Sequence, residues 1–159
     1  MRRIALILGL ALLIAPTIAL AADDVGRVKV ASGAAHIDRR GAKLPAQPGL
    51  QVREGDVVVT GADGSIGITF ADDTLLSLGP NSSLTIDRFA FDPTSHKGRF
   101  DTSLKSGTLA AVSGKLAKQS PDAMKVKTPG TILGIRGTEF LIRLEDAPPT
   151  PTTIEVPKQ

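Results

Sequence analysis

Hydrophobic and polar residues alternate with a period of two along nearly all of this chain, the signature of half-buried strands. GRVKVA (26–31) sets Val28 and Val30 against Lys29, and AAHID (34–38) follows across Ser32-Gly33. A valine run enters through Glu54-Gly55-Asp56, ends at Thr60, and leaves through Gly61 to Gly64. SIGITF (65–70) puts Ile66, Ile68 and Phe70 on one face; Asp72-Asp73 then turns the chain into TLLSL (74–78). Gly79-Pro80-Asn81 turns it again into SLTID (83–87). Short strands at this spacing, punctuated by Gly, Asp, Asn and Pro, predict a sandwich, jelly roll or short β-solenoid.

The second half continues the pattern more loosely. A polar hairpin tip is expected around Asp92-Pro93, two strands meeting at Lys105-Ser106-Gly107, and a short helical turn near 113–120. MKVKT (124–128) and EFLIRLE (139–145) alternate cleanly, with Phe140, Ile142 and Leu144 directed to the core. VVVTG before GSIGI and KVKTP before TILGI form a faint internal echo, for which the shared composition of β-hairpins is explanation enough. From Ala147 the chain carries Pro148, Pro149, Pro151 and Pro157, which predict an extended, mobile tail over 147–159.

The first 21 residues break the alternation. Arg2-Arg3 precede 17 apolar residues, Ile4 to Leu20, and Ala19-Leu20-Ala21 has the small-x-small form of a signal-peptidase site. We read 1–21 as a cleaved secretory signal peptide, with Ala19 and Ala21 flanking the cut, and the mature protein as periplasmic or secreted. An uncleaved membrane anchor is the competing reading, because the run reaches the lower limit of a spanning helix. With the leader gone, 17 basic side chains face 16 acidic ones, so the formal charge of +3 falls to about +1. That balance offers nothing to nucleic acid, and Arg39-Arg40 with Lys43 reads as a solvated loop. The chain has no cysteine, no Trp, no Tyr and five Phe, so it lacks disulfides, a thiol nucleophile and the usual stacking platforms for sugars or bases.

Catalytic chemistry needs convergent groups, and the sequence supplies few. His36 and His96 stand alone, without HxH or HxxxH spacing, and no GxSxG elbow is present. Asp63, Asp72 and Asp73 are spaced as turn formers, not as a calcium loop. No cofactor or metal is expected.

One segment concentrates unusual residues: TPGTILGIRGTEF (128–140), with Gly134-Ile135-Arg136-Gly137-Thr138 at its centre. It lacks the lysine and strand-to-helix context of a P-loop. The structural reading is a corner clasped by a buried or half-buried Arg136 guanidinium, held by carbonyls or by Asp56, Asp72 or Asp73. The alternative reading is an anion or small-ligand sensor in which Arg136 meets the ligand.

The succession GRVKVASGAAHIDR, LQVREGDVVVTGADGSIGITFADDTLLSLGPNSSLTI, LKSGTLAAVSGKLA and VKTPGTILGIRGTEF resembles the FecR-like periplasmic domain over about residues 25 to 145. Gly55, Asp56, Thr60 and Asp73 match the middle block of that pattern. Thr128, Pro129, Gly134, Arg136, Gly137, Thr138 and Phe140 match its Arg-Gly-Thr signature. The resemblance implies an all-β, jelly-roll or β-sandwich-like domain over 22–146 that works through protein contacts and not by catalysis. In founding members it is the periplasmic part of a regulator that relays a receptor signal to a sigma factor. Here only three residues precede the apolar run, so the standalone exported form is the better comparison. The family commonly continues through a last pair of strands, of which TTIEV (152–156) reads as a remnant of the first. The expected function is binding of an envelope protein partner or component, through strand edges or the loops beside the 128–140 corner, without a stable membrane anchor.

Overall fold

A single long strand organises the fold. The computed structural model describes residues 24–120, 122–136 and 139–144. Twelve strands and one helix run in the order β1 (Asp24–Ser32), β2 (Ala35–Arg39), β3 (Ala42–Pro45), β4 (Gln51–Arg53), β5 (Val57–Thr60), β6 (Ser65–Phe70), β7 (Leu75–Leu78), β8 (Ser83–Phe91), β9 (Gly98–Val112), α1 (Lys115–Gln119), β10 (Met124–Lys127), β11 (Ile132–Gly134) and β12 (Glu139–Leu144). The first half of β9 pairs with β8 on one side and, in parallel, with β10 on the other. Its second half pairs with β7 and β12, both antiparallel.

β9 therefore belongs to two sheets. The first runs β3-β2-β5-β8-β9-β10-β11 and the second β4-β1-β6-β7-β9-β12. The expected junction at Lys105-Ser106-Gly107 is not a turn between two strands. It is the point where one 15-residue strand leaves the first sheet and enters the second. Gly107 makes the change of direction possible, with φ of +83° and its Cα packed on Ser82, where a β-carbon would lie 2.1 Å from Ser82 Oγ.

Alternation then builds one core between the sheets. Ile66, Ile68 and Phe70 of β6, Leu76 and Leu78 of β7, and Leu109 and Ala111 of β9 come from the second sheet. Ile37, Val58, Leu84, Ile86, Phe100, Leu104 and Val126 come from the first. Phe70 joins the two layers, with its ring centroid 4.5 Å from Phe100 and 5.6 Å from Phe89. Phe140, Ile142 and Leu144 pack on this core as half-buried residues, as their alternation predicts. α1 closes one end by burying Leu116 and Ala117.

The architecture is thus the all-β, sandwich-like domain of short, mainly antiparallel strands that the pattern predicts. β3, β4 and β11 were not legible because AKLP, QVR and ILG are too short to show a period. Residues 1–21 and the tail 147–159, with Ala19, Ala21 and TTIEV, lie outside the described residues, as do Gly137 and Thr138.

Candidate functional site

The residues of the middle motif fall at three separate turns, with Asp56 and Thr60 buried and Gly55 and Asp73 exposed. Asp56 follows Gly55, which takes the left-handed φ of +85° and donates its N–H to Ile86 O at 2.8 Å. The Asp56 carboxylate is 1% exposed and accepts the Arg53 amide at 2.9 Å. It is neutralised by Arg39, whose Nε and Nη2 donate to its two oxygens at 2.8 and 2.7 Å, while Nη2 also reaches Gln51 O at 2.7 Å. One planar guanidinium ties β2 to the β4–β5 turn and to the start of β4. The Arg39 pKa is raised above its ordinary value, chiefly by the hydrogen bond to Asp56. Arg39 is accordingly not the loop residue that the basic run suggested; it ends a strand and points inward.

Thr60 and Asp72 fasten the next two turns. The Thr60 hydroxyl donates to Gly79 O at 2.7 Å and accepts the Ser82 amide at 2.9 Å. The Ser82 hydroxyl in turn accepts the Thr108 amide at 2.9 Å, anchoring β9 just past Gly107. Asp72 accepts the Thr74 amide and hydroxyl at 3.1 and 2.7 Å, and Thr74 Oγ1 accepts the Gly114 amide at 3.0 Å. Asp73 sits on the turn at φ 67° and pairs with Lys115 at 2.8 Å.

The 128–140 segment departs from the expected clasp. Its first part is a hairpin: Thr128 donates backbone and hydroxyl hydrogen bonds to Thr131 O at 2.8 and 3.1 Å, and β10 pairs with β11 across it. Pro129 is exposed at the tip, and Gly134 pairs with Lys125. Ile135 is buried and its amide reaches Met124 O at 3.0 Å. Arg136 then points outward, its side chain 73% exposed, with Asp122 at 3.4 Å as its one ion-pair partner among the described residues. None of Asp56, Asp72 and Asp73 touches it. Flanking an arginine by glycines leaves it room, but of the buried carboxylates proposed to hold it Asp56 is taken by Arg39 and Asp72 by Thr74. Phe140 pairs with Ala111 and is half-buried against the core.

The outer faces of the two sheets differ in chemistry. A row across the first sheet reads Lys43, Asp38, Val57, Thr85, Ser103, Lys127, Ile132, with Asp87 bonded to Ser103 and 3.6 Å from Lys127. Two adjacent rows across the second sheet read Arg27, Thr69, Leu75, Val112, Glu139 and Val30, Gly67, Ser77, Ala110, Leu141. Val30, Leu75, Val112 and Leu141 are exposed, Val30 by 58% and Leu141 by 64%, on four strands of one face. Val30 leans over Gly67, where a β-carbon would stand 2.8 Å from Val30 Cγ1. No sequence pattern singled out this face, because its residues are 29 to 45 positions apart and meet only through sheet order.

Elsewhere the polar groups serve turns. His36 lies 3.5 Å from Asp38 on the first sheet, and His96 stacks on Phe91. Asp92 accepts the Thr94 and Ser95 amides at 2.8 and 3.3 Å, shaping the β8–β9 hairpin tip. Among the described residues no three metal-ligating side chains converge, and no helix is long and apolar enough to cross a membrane.

Buried polar turns, a shared central strand and a partly apolar sheet face characterise this β domain. A family model described as FecR protein matches residues 56–156, and the chain belongs to the FecR family. That family is non-catalytic and associated with cell-envelope signalling, and its domains are typically periplasmic. No curated protein and no solved structure matches the chain.

Proposed function

We propose that this chain is an exported FecR-family domain that binds a protein partner or envelope component, in envelope signalling or as an accessory subunit. Cleavage after Ala21 releases it without an anchor. The observation that carries this reading is the outer face of the second sheet, where Val30, Leu75, Val112 and Leu141 stand exposed on four strands. Solvent-facing sheet surfaces are ordinarily polar, and a contiguous apolar one marks a contact site. The edge strands offer a second route by strand addition. Cross-linking in the periplasm followed by mass spectrometry tests the proposal: a defined partner, lost on Leu75→Lys, is expected, and recovery of no specific partner contradicts it.

A second reading is recognition of an anion or small ligand by Arg136. Its support is the exposed guanidinium, which among the described residues has only the Asp122 carboxylate, at 3.4 Å, beside it.

A further inference from the structure

The apolar face carries a pattern that selects its own occupant. Arg27 and Glu139 occupy opposite ends of one cross-strand row, and neither forms an ion pair among the described residues. Val30 and Leu141 occupy opposite ends of the next row. The strands that carry both rows run β1-β6-β7-β9-β12, so β7 lies in the middle, and β4 adds only Gln51 beyond Arg27.

A two-fold axis lying in the face along β7 maps each row onto itself with its ends exchanged. Arg27 then faces Glu139 of a second copy, and Glu139 faces the second Arg27. Val30 meets Leu141, Thr69 meets Val112, and Leu75 meets itself on the axis. The small residues Gly67, Ser77 and Ala110 oppose one another, which lets the two backbones approach. This self-complementarity, with residue i against j and j against i, is the property of an isologous interface.

We propose that a second copy of this chain covers the face, stacked sheet on sheet about an axis along β7. The inference rests on the reading of this face as a contact surface and adds the identity of what covers it. With the adjoining row that carries Ser32, Ser65, Thr108 and Arg143, the face is three rows deep, and five strands spaced about 4.8 Å apart give a footprint of roughly 500 Å² per copy. A total of about 1,000 Å² is at the low end of specific interfaces, so the dimer is weak and concentration-dependent.

The test is sedimentation velocity over a concentration series, on the protein purified after export. A monomer–dimer equilibrium is expected, weakened at least tenfold by Arg27→Glu or by Leu141→Glu. The charge swap Arg27→Glu with Glu139→Arg should restore dimerisation to within about threefold of the parent. Within one copy these residues are four strands apart, so restoration requires contact between copies. A monomer at every concentration overturns the proposal, as does a dimer that the swap fails to restore. If a photo-cross-linker at Leu141 then captures another envelope protein, the face is a contact surface with a foreign partner. If it captures residues 145–159 of its own chain, the tail covers the face. Either result refutes pairing, and only the second also removes the reading of the face as a partner site.

Discussion

The guanidinium of Arg39 grips the carboxylate of Asp56 through two parallel hydrogen bonds, at 2.8 and 2.7 Å, across 17 residues of sequence. This pair performs the task that the sequence suggested for Arg136. Asp56 is 1% exposed and the Arg39 side chain 20%, so removing either partner strands the other in a poorly solvated site.

Asp56→Ala should therefore cost about 3 kcal/mol of stability, the usual penalty for stranding one half of a buried pair. Arg136→Ala should change stability by no more than about 0.5 kcal/mol, as for other exposed substitutions. Urea denaturation of the two variants checks both values. Loss of stability on Arg136→Ala comparable to that on Asp56→Ala would reverse the assignment. An Arg136→Ala protein that folds but loses stabilisation by an anion would favour ligand recognition at that corner.

The glycines divide in the same way. A β-carbon on Gly114 would lie 2.1 Å from Asp72 O and 2.5 Å from Thr74 N, both backbone atoms. Gly114→Ala should cost about 3 kcal/mol, at the upper end for overpacking, because neither atom can yield cheaply. Gly134 has open space around it, so Gly134→Ala should fall within about 0.5 kcal/mol of the parent. Thermal melts of the two variants suffice to separate them.

Asp73 makes one surface contribution depend on pH. Its hydrogen bond and charge interaction with Lys115 hold its pKa below the ordinary 3.8. A lowered folded-state pKa means that the contribution is present above the unfolded value and lost as pH falls through the folded one. Asp73→Asn keeps a side chain that tolerates the left-handed turn and removes only the charge. The melting temperatures of parent and variant should differ at about pH 6, draw together as the pH falls below the ordinary aspartate range through the lowered folded-state pKa, and differ less in high salt.

The strand pattern was readable because alternation survives wherever one face of a strand is buried, as in Ile66, Ile68 and Phe70. The single run of β9 was hidden because Lys105-Ser106-Gly107 has the composition of a turn, while its actual role is a bend between sheets. Gly55, Asp56, Thr60 and Asp73 were legible as a motif, yet the partner of Asp56 was not. A basic run such as Arg39-Arg40 reads the same whether its first member is solvated or buried, and only the β2–β5 register brings Arg39 to Asp56. The apolar face left no local trace, since Val30, Leu75, Val112 and Leu141 lie on four different strands and share a face only through the order of those strands in the sheet.

Charging the face should alter binding without harming the fold. Leu75→Lys replaces a side chain that is already 45% exposed, so stability should move by about 0.5 kcal/mol or less. Circular dichroism melts on the purified variant check this before any loss of binding is attributed to the surface.

The most direct measurement places a photo-cross-linking residue at Leu75 of the second sheet and, separately, at Thr85 of the first, in cells exporting the protein. Defined adducts are expected from position 75, abolished by Leu141→Glu, with little from position 85. Equal labelling from both faces, or no specific adduct from position 75, would rule out the apolar face as the contact surface.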